Sequence, residues 1–258
     1  MRDILEAVAA GEMSPEAAEA KLAGYVTGEA GRFDAARERR SGVPEAVLGT
    51  DKTPTEVGAL VATSLETTGR AIATRLSETQ TAAVRDHLGE SHPDASVRLH
   101  DRANVLVAHG PDFERPELDA SVGVVTAGTS DAVPAGEAAV LAREMGATVA
   151  RVDDVGVAGL TRLTDRLADL RSQDVLVVAA GREGALPTVT AGLVDVPVIG
   201  LPVSTGYGHG GEGEAALAGM LQSCTALTVV NVDAGFTAGT QAGLVARQLD
   251  AARADAGE

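Results

Sequence analysis

The sequence predicts an α/β fold: a doubly wound parallel sheet over residues 118–258, preceded by a smaller α+β region over 1–117. Three observations carry this. Short Val-rich runs near 122–126, 148–152, 174–179, 196–201 and 227–232 alternate with helical stretches. The runs lack clean polar–apolar alternation, as strands do when helices cover both faces of a parallel sheet. With three Phe, two Tyr and no Trp, the core is left to Ala, Val and Leu, which suits helices packed on such a sheet.

The remaining elements follow from local signals. Ile4, Leu5 and Val8 mark a short first helix, and Ser14-Pro15-Glu16 opens a second with proline in its first turn. Thr53-Pro54-Thr55-Glu56 repeats that device as a capping box before a helix reaching about Leu65. Residues 71–74, 97–100 and 105–107 read as strands, with a helix over 77–88 after the first. His109-Gly110-Pro111-Asp112 and Arg115-Pro116 break the pattern and predict a linker. Leu160, Leu163, Leu167 and Leu170 then form the apolar stripe of one covering helix. Right-handed crossovers complete the doubly wound domain.

Charge and composition exclude several functions. The net charge of −16 arises from 37 acidic against 21 basic residues, and Lys21 and Lys52 are the two lysines. Such a surface repels nucleic-acid phosphates and anionic lipid. The same composition matches a salty cytoplasm, where screening relieves self-repulsion. A single cysteine, Cys224, rules out an internal disulfide and a multi-thiolate zinc site. His87, His92, His100, His109 and His209 show no paired helical spacing suited to a metal. With no signal-like N-terminus and no apolar stretch of spanning length, a cytoplasmic protein is expected.

The strand exits carry the chemistry. Gly128-Thr129-Ser130-Asp131, Asp153-Asp154-Val155-Gly156, Gly181-Arg182-Glu183-Gly184 and Ser204-Thr205-Gly206-Tyr207-Gly208 fall at one edge of one sheet, where open parallel sheets bind ligands. The first loop precedes a helix, so its N–H groups and the helix dipole favour a phosphate. The bland alternative is an ordinary connection with Asp131 as helix cap.

Beyond these single loops, ordered blocks carry a family resemblance. Residues 122–131, Glu137-Ala138-Ala139 and 197–202 resemble PurE, the phosphoribosylaminoimidazole carboxylases, which implies a flavodoxin-like sheet. Asp153 to Leu160, Ala180 to Pro187, Ser204 to Gly208, Ser223-Cys224-Thr225 and Val230 to Phe236 resemble more closely the LarB family of nickel-pincer cofactor biosynthesis. Asp34, Arg37, Arg40, Gly42, Pro44, Glu45 and Lys52-Thr53 fit that family's upstream pattern, so the likeness covers most of residues 30 to 245. Arg182 and Ala234 depart from it: Met and Asn are usual there, so the first adds charge beside the ring site and the second removes a donor.

The resemblance implies a carboxylase and hydrolase acting on nicotinate adenine dinucleotide. Carbon dioxide joins ring carbon 5 and the phosphoanhydride is cut, giving pyridinium-3,5-biscarboxylate mononucleotide and AMP. It also implies a homo-oligomer with shared active sites, an octamer being the candidate size, and no tightly bound cofactor. Cys224 is the expected nucleophile, since thiolate addition turns an electron-poor ring into an enamine. Because Cys224 precedes the last strand, simple topology puts it at the opposite sheet edge: either the helix end departs from the regular pattern or Cys224 reaches a site completed by a neighbouring subunit, and the homo-oligomeric assembly that the resemblance implies favours the second. Without the resemblance it would read as an inert core thiol.

Asp131 and Glu183 are the candidate proton acceptors: a carboxylate beside a cationic ring gains basicity when thiolate addition removes that cation. Substrate binding falls to Gly128, Thr129, Ser130, Gly181, Gly184, Ser204, Gly206, Tyr207, Gly208, Asn231 and Asp233. Asp153 and Asp154 are candidates for the ribose or for Mg2+ on the pyrophosphate, although adjacent loop acids are commonly just solvated. Arg40 and Lys52, within a basic cluster, and Arg162, just inside a helix, are candidates for the phosphates. Two rivals remain. A PurE-like aminoimidazole ribonucleotide carboxylase or mutase would need a Ser-Ala-His-Arg loop where Val155-Gly156-Val157-Ala158 stands, and the other rival is a non-catalytic nucleotide-binding module.

Overall fold

The structure, a computed structural model, describes residues 2–11, 18, 24–28, 31–206 and 208–256, so the expected Ser14-Pro15-Glu16 cap and Tyr207 lie outside the described residues. The chain forms two compact units, 1–114 and 115–258.

In the first unit, helix α1 (Arg2–Ala9) precedes the hairpin β1 (Val26–Gly28) and β2 (Gly31–Phe33), helix α2 (Arg37–Ser41) and β3 (Val47–Leu48). Then come α3 (Pro54–Thr68), β4 (Arg70–Thr74), α4 (Glu78–Ser91), β5 (Ser96–His100) and β6 (Val105–His109). The sheet order is β3-β4-β6-β5, parallel only between β3 and β4. Both long helices begin in full capping boxes, Thr53 with Glu56 and Ser77 with Gln80, which satisfy N–H groups that a helix start otherwise strands. Their apolar faces, including Val57, Val61, Leu65, Val84 and Leu88, close on Ala71, Ala73, Leu106 and Ala108 of the strands. The predicted linker starts by folding back on this unit: the Gly110 N–H bonds the Gly69 carbonyl, and Phe113 stacks on His109 beneath the Arg70 guanidinium.

The second unit runs β7 (Ser121–Thr126), α5 (Ala132–Glu144), β8 (Thr148–Val152), α6 (Leu160–Thr164), α7 (Leu167–Arg171), β9 (Val175–Ala180) and α8 (Ala185–Ala191). It continues with β10 (Val198–Pro202), α9 (Glu214–Leu221), β11 (Thr228–Val229) and α10 (Gly235–Ala256). The sheet is wholly parallel in the order β11-β10-β9-β7-β8, the flavodoxin-like arrangement. Its strands lack alternation because each face has its own cover. Val175, Val177 and Ala179 join Val122, Val124 and Leu201 under α5 and α10, while Leu176, Val178 and Ala180 join Val125, Leu163, Leu170 and Met220 on the other side.

One predicted element divides in two. The stripe Leu160, Leu163, Leu167 and Leu170 belongs to two short helices, separated where the Asp165 and Arg166 N–H groups return to Thr161 and Leu163. The Thr164 hydroxyl bonds the Thr161 carbonyl, a local competitor of regular helix. Leu163 and Leu170 still reach the core fully buried, worth about 2 kcal/mol each, whereas Leu160 is left exposed. The last strand, Thr228–Val229, is also shorter than the predicted 227–232: just beyond it the Asn231 side-chain amide oxygen accepts the Val232 N–H at 2.8 Å.

Candidate active site

Between the C-terminal ends of β7 and β9, where the strand order switches direction, a cavity of about 350 Å³ opens. Gly128, Ser130 and Asp131 supply one wall and Gly181, Arg182 and Glu183 the facing one, with Val157, Ala158 and Arg162 on a third side and Thr205 and Gly206 on a fourth. Small residues let these loops meet. A side chain at Gly156 would come within 2.7 Å of the Ala127 carbonyl, to which the Gly156 N–H bonds. At Gly184 the backbone is left-handed (φ 67°) and a Cβ would lie 2.5 Å from the Ala216 carbonyl, so this turn requires glycine.

Asp131 is the buried acid of the site, with 2% of its surface exposed. Its carboxylate accepts the Gly128 N–H at 2.8 Å, and the backbone of Ala127 and Gly181 and the Ser130 hydroxyl lie near enough to favour its charged form. Burial pushes this carboxyl above the usual range, and these neighbours pull the other way without cancelling it. A carboxyl shifted upward inside a cavity suits proton transfer. Glu183 stands exposed on the facing loop.

Of the sequence candidates, Gly128, Ser130, Asp131, Arg162, Gly181, Glu183 and Gly206 therefore meet in one cavity. Thr129, Gly184, Ser204, Gly208, Asn231 and Asp233 do not line it. Ser204 and Asp233 have a structural bond instead: the Ser204 N–H reaches the Asp233 carboxylate at 3.0 Å, tying two strand exits together. Sequence reasoning passed over Ala185, Leu186 and Thr205 as liners, and of these only Thr205 sat inside a strand-exit loop singled out for ligand binding, while Val157 and Ala158 line the cavity from the stretch set against the rival enzyme's loop.

Asp153 and Asp154 are both matched by cations. Arg151 donates to Asp153 at 2.7 Å, the Thr126 hydroxyl reaches it at 3.1 Å, and Arg162 pairs with Asp154 at 3.0 Å. No group of three His, Cys, Asp or Glu side chains among the described residues is poised for a metal.

Cys224 is exposed, in the turn before β11 and thus at the N-terminal edge of the sheet. The Ser223 and Thr225 hydroxyls, 2.7 Å apart, brace that turn, and Thr225 packs beside Gly192 at the end of α8. A single chain accordingly brings Asp131 and Glu183 together without Cys224. In the other unit, Arg40 pairs with Asp34 at 2.5 Å, Arg37 with Glu45 at 2.8 Å, and the buried Arg70 with Glu38 at 2.7 Å. Lys52 is half-buried and its carbonyl accepts the Gln80 amide. The expected basic cluster is thus interleaved with acids.

A wholly parallel sheet in this order, with a buried acid at its switch point, makes the second unit a flavodoxin-like ligand-binding domain. Residues 121–256 match the family model for AIR carboxylase, and residues 25–109 match that for the LarB/PurE-like N-terminal domain. An uncharacterized protein of Methanocaldococcus jannaschii is 37% identical over 220 residues, spanning 84% of each chain. The chain belongs to the LarB family, with its PurE-like carboxylase domain behind a LarB-type N-terminal domain. No helix among the described residues is long and apolar enough to cross a membrane.

Proposed function

We propose that the protein carboxylates the pyridinium ring of nicotinate adenine dinucleotide at carbon 5 and hydrolyses the phosphoanhydride, releasing AMP and pyridinium-3,5-biscarboxylate mononucleotide for nickel-pincer cofactor biosynthesis. The observation that carries this reading is a cavity in a LarB-family chain that joins a buried carboxyl, Asp131, to a second acid, Glu183. Where a PurE-like aminoimidazole enzyme would need its loop histidine, the cavity wall is Val157 and Ala158, which favours the LarB reading.

The Cys224 thiolate adds to ring carbon 4, moving an electron pair onto the ring nitrogen and giving a neutral enamine. Carbon 5 attacks carbon dioxide, forming the new carbon–carbon bond and an iminium. Asp131 or Glu183 takes the proton from carbon 5, and the thiolate leaves carbon 4 with its electron pair, restoring the aromatic cation. Addition of the thiolate at carbon 6 would generate an equivalent enamine. Water then attacks the phosphoanhydride. Arg162, on the cavity wall, is the candidate for the phosphates.

Because Cys224 leaves its own sheet at the far edge, it would serve the cavity of another copy in a homo-oligomer, an octamer by family likeness. Magnesium, in this scheme, would arrive with the substrate's pyrophosphate.

The test is incubation with nicotinate adenine dinucleotide, magnesium and bicarbonate as the carbon dioxide source, read by mass spectrometry. A mononucleotide heavier by one carboxyl group, together with AMP, is expected. Recovery of intact dinucleotide would reject the proposal, and saturable binding without turnover would favour a nucleotide-binding module.

A further inference from the structure

The fourth wall of the cavity, Thr205 and Gly206, is held from outside it. β10 ends at Pro202, and its pairing with β11 has already stopped at Gly200 opposite Val229. Past that point one residue of the β11 exit takes over. The Asp233 N–H bonds the Pro202 carbonyl at 2.9 Å, and the Asp233 carboxylate accepts the Ser204 N–H at 3.0 Å. Asp233 therefore grips the chain on both sides of Val203, immediately before the wall begins, without lining the cavity itself.

The Asp233 backbone is left-handed, with φ 53°, a region that Asp and Asn enter more readily than other side chains. In this conformation its N–H and its carboxylate serve the same strand exit. Its neighbour Val232 fills the space beside Gly213, where a Cβ would come within 2.5 Å of a Val232 methyl and 3.4 Å of the Ser204 Cα. The grip acts on the facing turn. A Cβ on Gly206 would lie 3.0 Å from the Arg182 nitrogen, and one on Gly181 would lie 3.4 Å from the Thr205 hydroxyl oxygen. The wall thus rests, backbone against backbone, on the turn that carries Glu183 to the cavity.

We infer that Asp233 is a positioning residue: through Ser204 it sets the Thr205–Gly206 wall against the turn bearing Glu183, and so fixes the width of the cavity for its ligand. The inference goes beyond the proposed function and rests on it in one respect, that the dinucleotide occupies this cavity. A bond from a backbone N–H to a carboxylate is about twice as strong as one to a neutral acceptor, so an acid holds this strand exit more tightly than an amide would. A wall displaced by about 1 Å is enough to spoil the alignment of reacting groups.

Asp233→Gly and Asp233→Asn test it, because both residues accept the left-handed backbone and only the second keeps a side-chain acceptor. Hydrogen exchange of the full chain reads the amides around Ser204, while turnover of nicotinate adenine dinucleotide and its calorimetric affinity read the cavity. In Asp233→Gly, exchange at Ser204 should quicken about tenfold or more while α10 stays protected, and kcat should fall roughly 10- to 100-fold. Asp233→Asn should stay within about threefold of the parent in both. Faster exchange with unaltered kcat and affinity would show that the wall's position is immaterial, and lost turnover with unaltered exchange would show that Asp233 acts by another route; either result overturns the inference. Should Asp233→Gly fail to fold, the comparison is made on Asp233→Asn, where faster exchange at Ser204 without any fall in kcat overturns it. A parent without turnover sinks the carboxylation alone. Affinity for the dinucleotide then stands in for kcat: a loss of about tenfold in Asp233→Gly that Asp233→Asn reverses upholds the positioning role, and equal affinities reject it.

Discussion

The Gly128 N–H reaches the Asp131 carboxylate at 2.8 Å, so the turn that ends β7 holds its own acid against the cavity. The Gly181 backbone at the exit of β9 also favours the charged form of this carboxylate, so one side chain feels both loops that flank the switch point. Asp131→Asn keeps the size and most of the acceptor capacity while removing the base. Carboxylation should fall about 100-fold or more, with dinucleotide binding far less affected. Single-turnover rates beside calorimetric affinities check this, and an unaltered rate would transfer the role to Glu183.

Asp131 also makes a prediction about stability that is independent of catalysis. Its folded-state pKa is raised above the ordinary 3.8, so its favourable contribution is complete below 3.8 and is lost as pH climbs through the folded value. Asp174 runs the other way. The Arg253 hydrogen bond, the largest cause, holds its pKa below 3.8, so its contribution is present above 3.8 and is lost as pH falls through the lowered value. Melting curves against pH should therefore show Asp131→Asn gaining on the parent toward neutral pH and Asp174→Asn losing ground. Parallel curves for the two variants would contradict the assignment.

Two glycines on helices should respond to alanine with opposite signs. Gly239 of α10 lies where a methyl would overlap the Ala138 carbonyl of α5, so Gly239→Ala must push two backbones apart. A loss of about 1–3 kcal/mol is expected. Gly89 of α4 has nothing within 4 Å of the added methyl, and alanine there lowers the entropy of the unfolded chain. A gain of about 0.5–1 kcal/mol should follow. Urea titrations of both variants give the comparison.

How far the sequence could be read depended on how local each determinant is. The parallel strands were visible because Val175 to Ala180 is buried on both faces and its composition records that directly. The capping boxes at Thr53 and Ser77 are four-residue signals, although only the first was read as one. The hairpin Val26–Gly28 with Gly31–Phe33 has strands of three residues, too short to show a period. The leucine stripe misled because spacing alone cannot show that Asp165 and Arg166 close a turn within it. In the site, Asp131 and Glu183 were legible from strand-exit position. Ala185 and Leu186 were not, since an apolar residue lining a cavity looks in sequence like any other. The arginine partners of Asp153 and Asp154 were equally hidden, because folding brings Arg162 beside Asp154.

The separation of Cys224 from the cavity within one chain yields a prediction that distinguishes how sites are built. With Asp131 at one sheet edge and Cys224 at the other, each single variant, Asp131→Asn or Cys224→Ser, should be nearly inactive alone. If a site takes its acid from one copy and its thiolate from the next, co-expressed variants form some sites with both groups intact. Random mixing in a symmetric assembly leaves roughly a quarter of the sites competent. Turnover per chain in the co-purified mixture should accordingly rise to about that fraction of the parent rate. Variants that stay inactive after verified mixing would show that acid and thiolate must come from one chain. Since the turn holding Cys224 is braced by Ser223 and Thr225 at the far edge, that outcome would require this turn to leave its place beside Gly192.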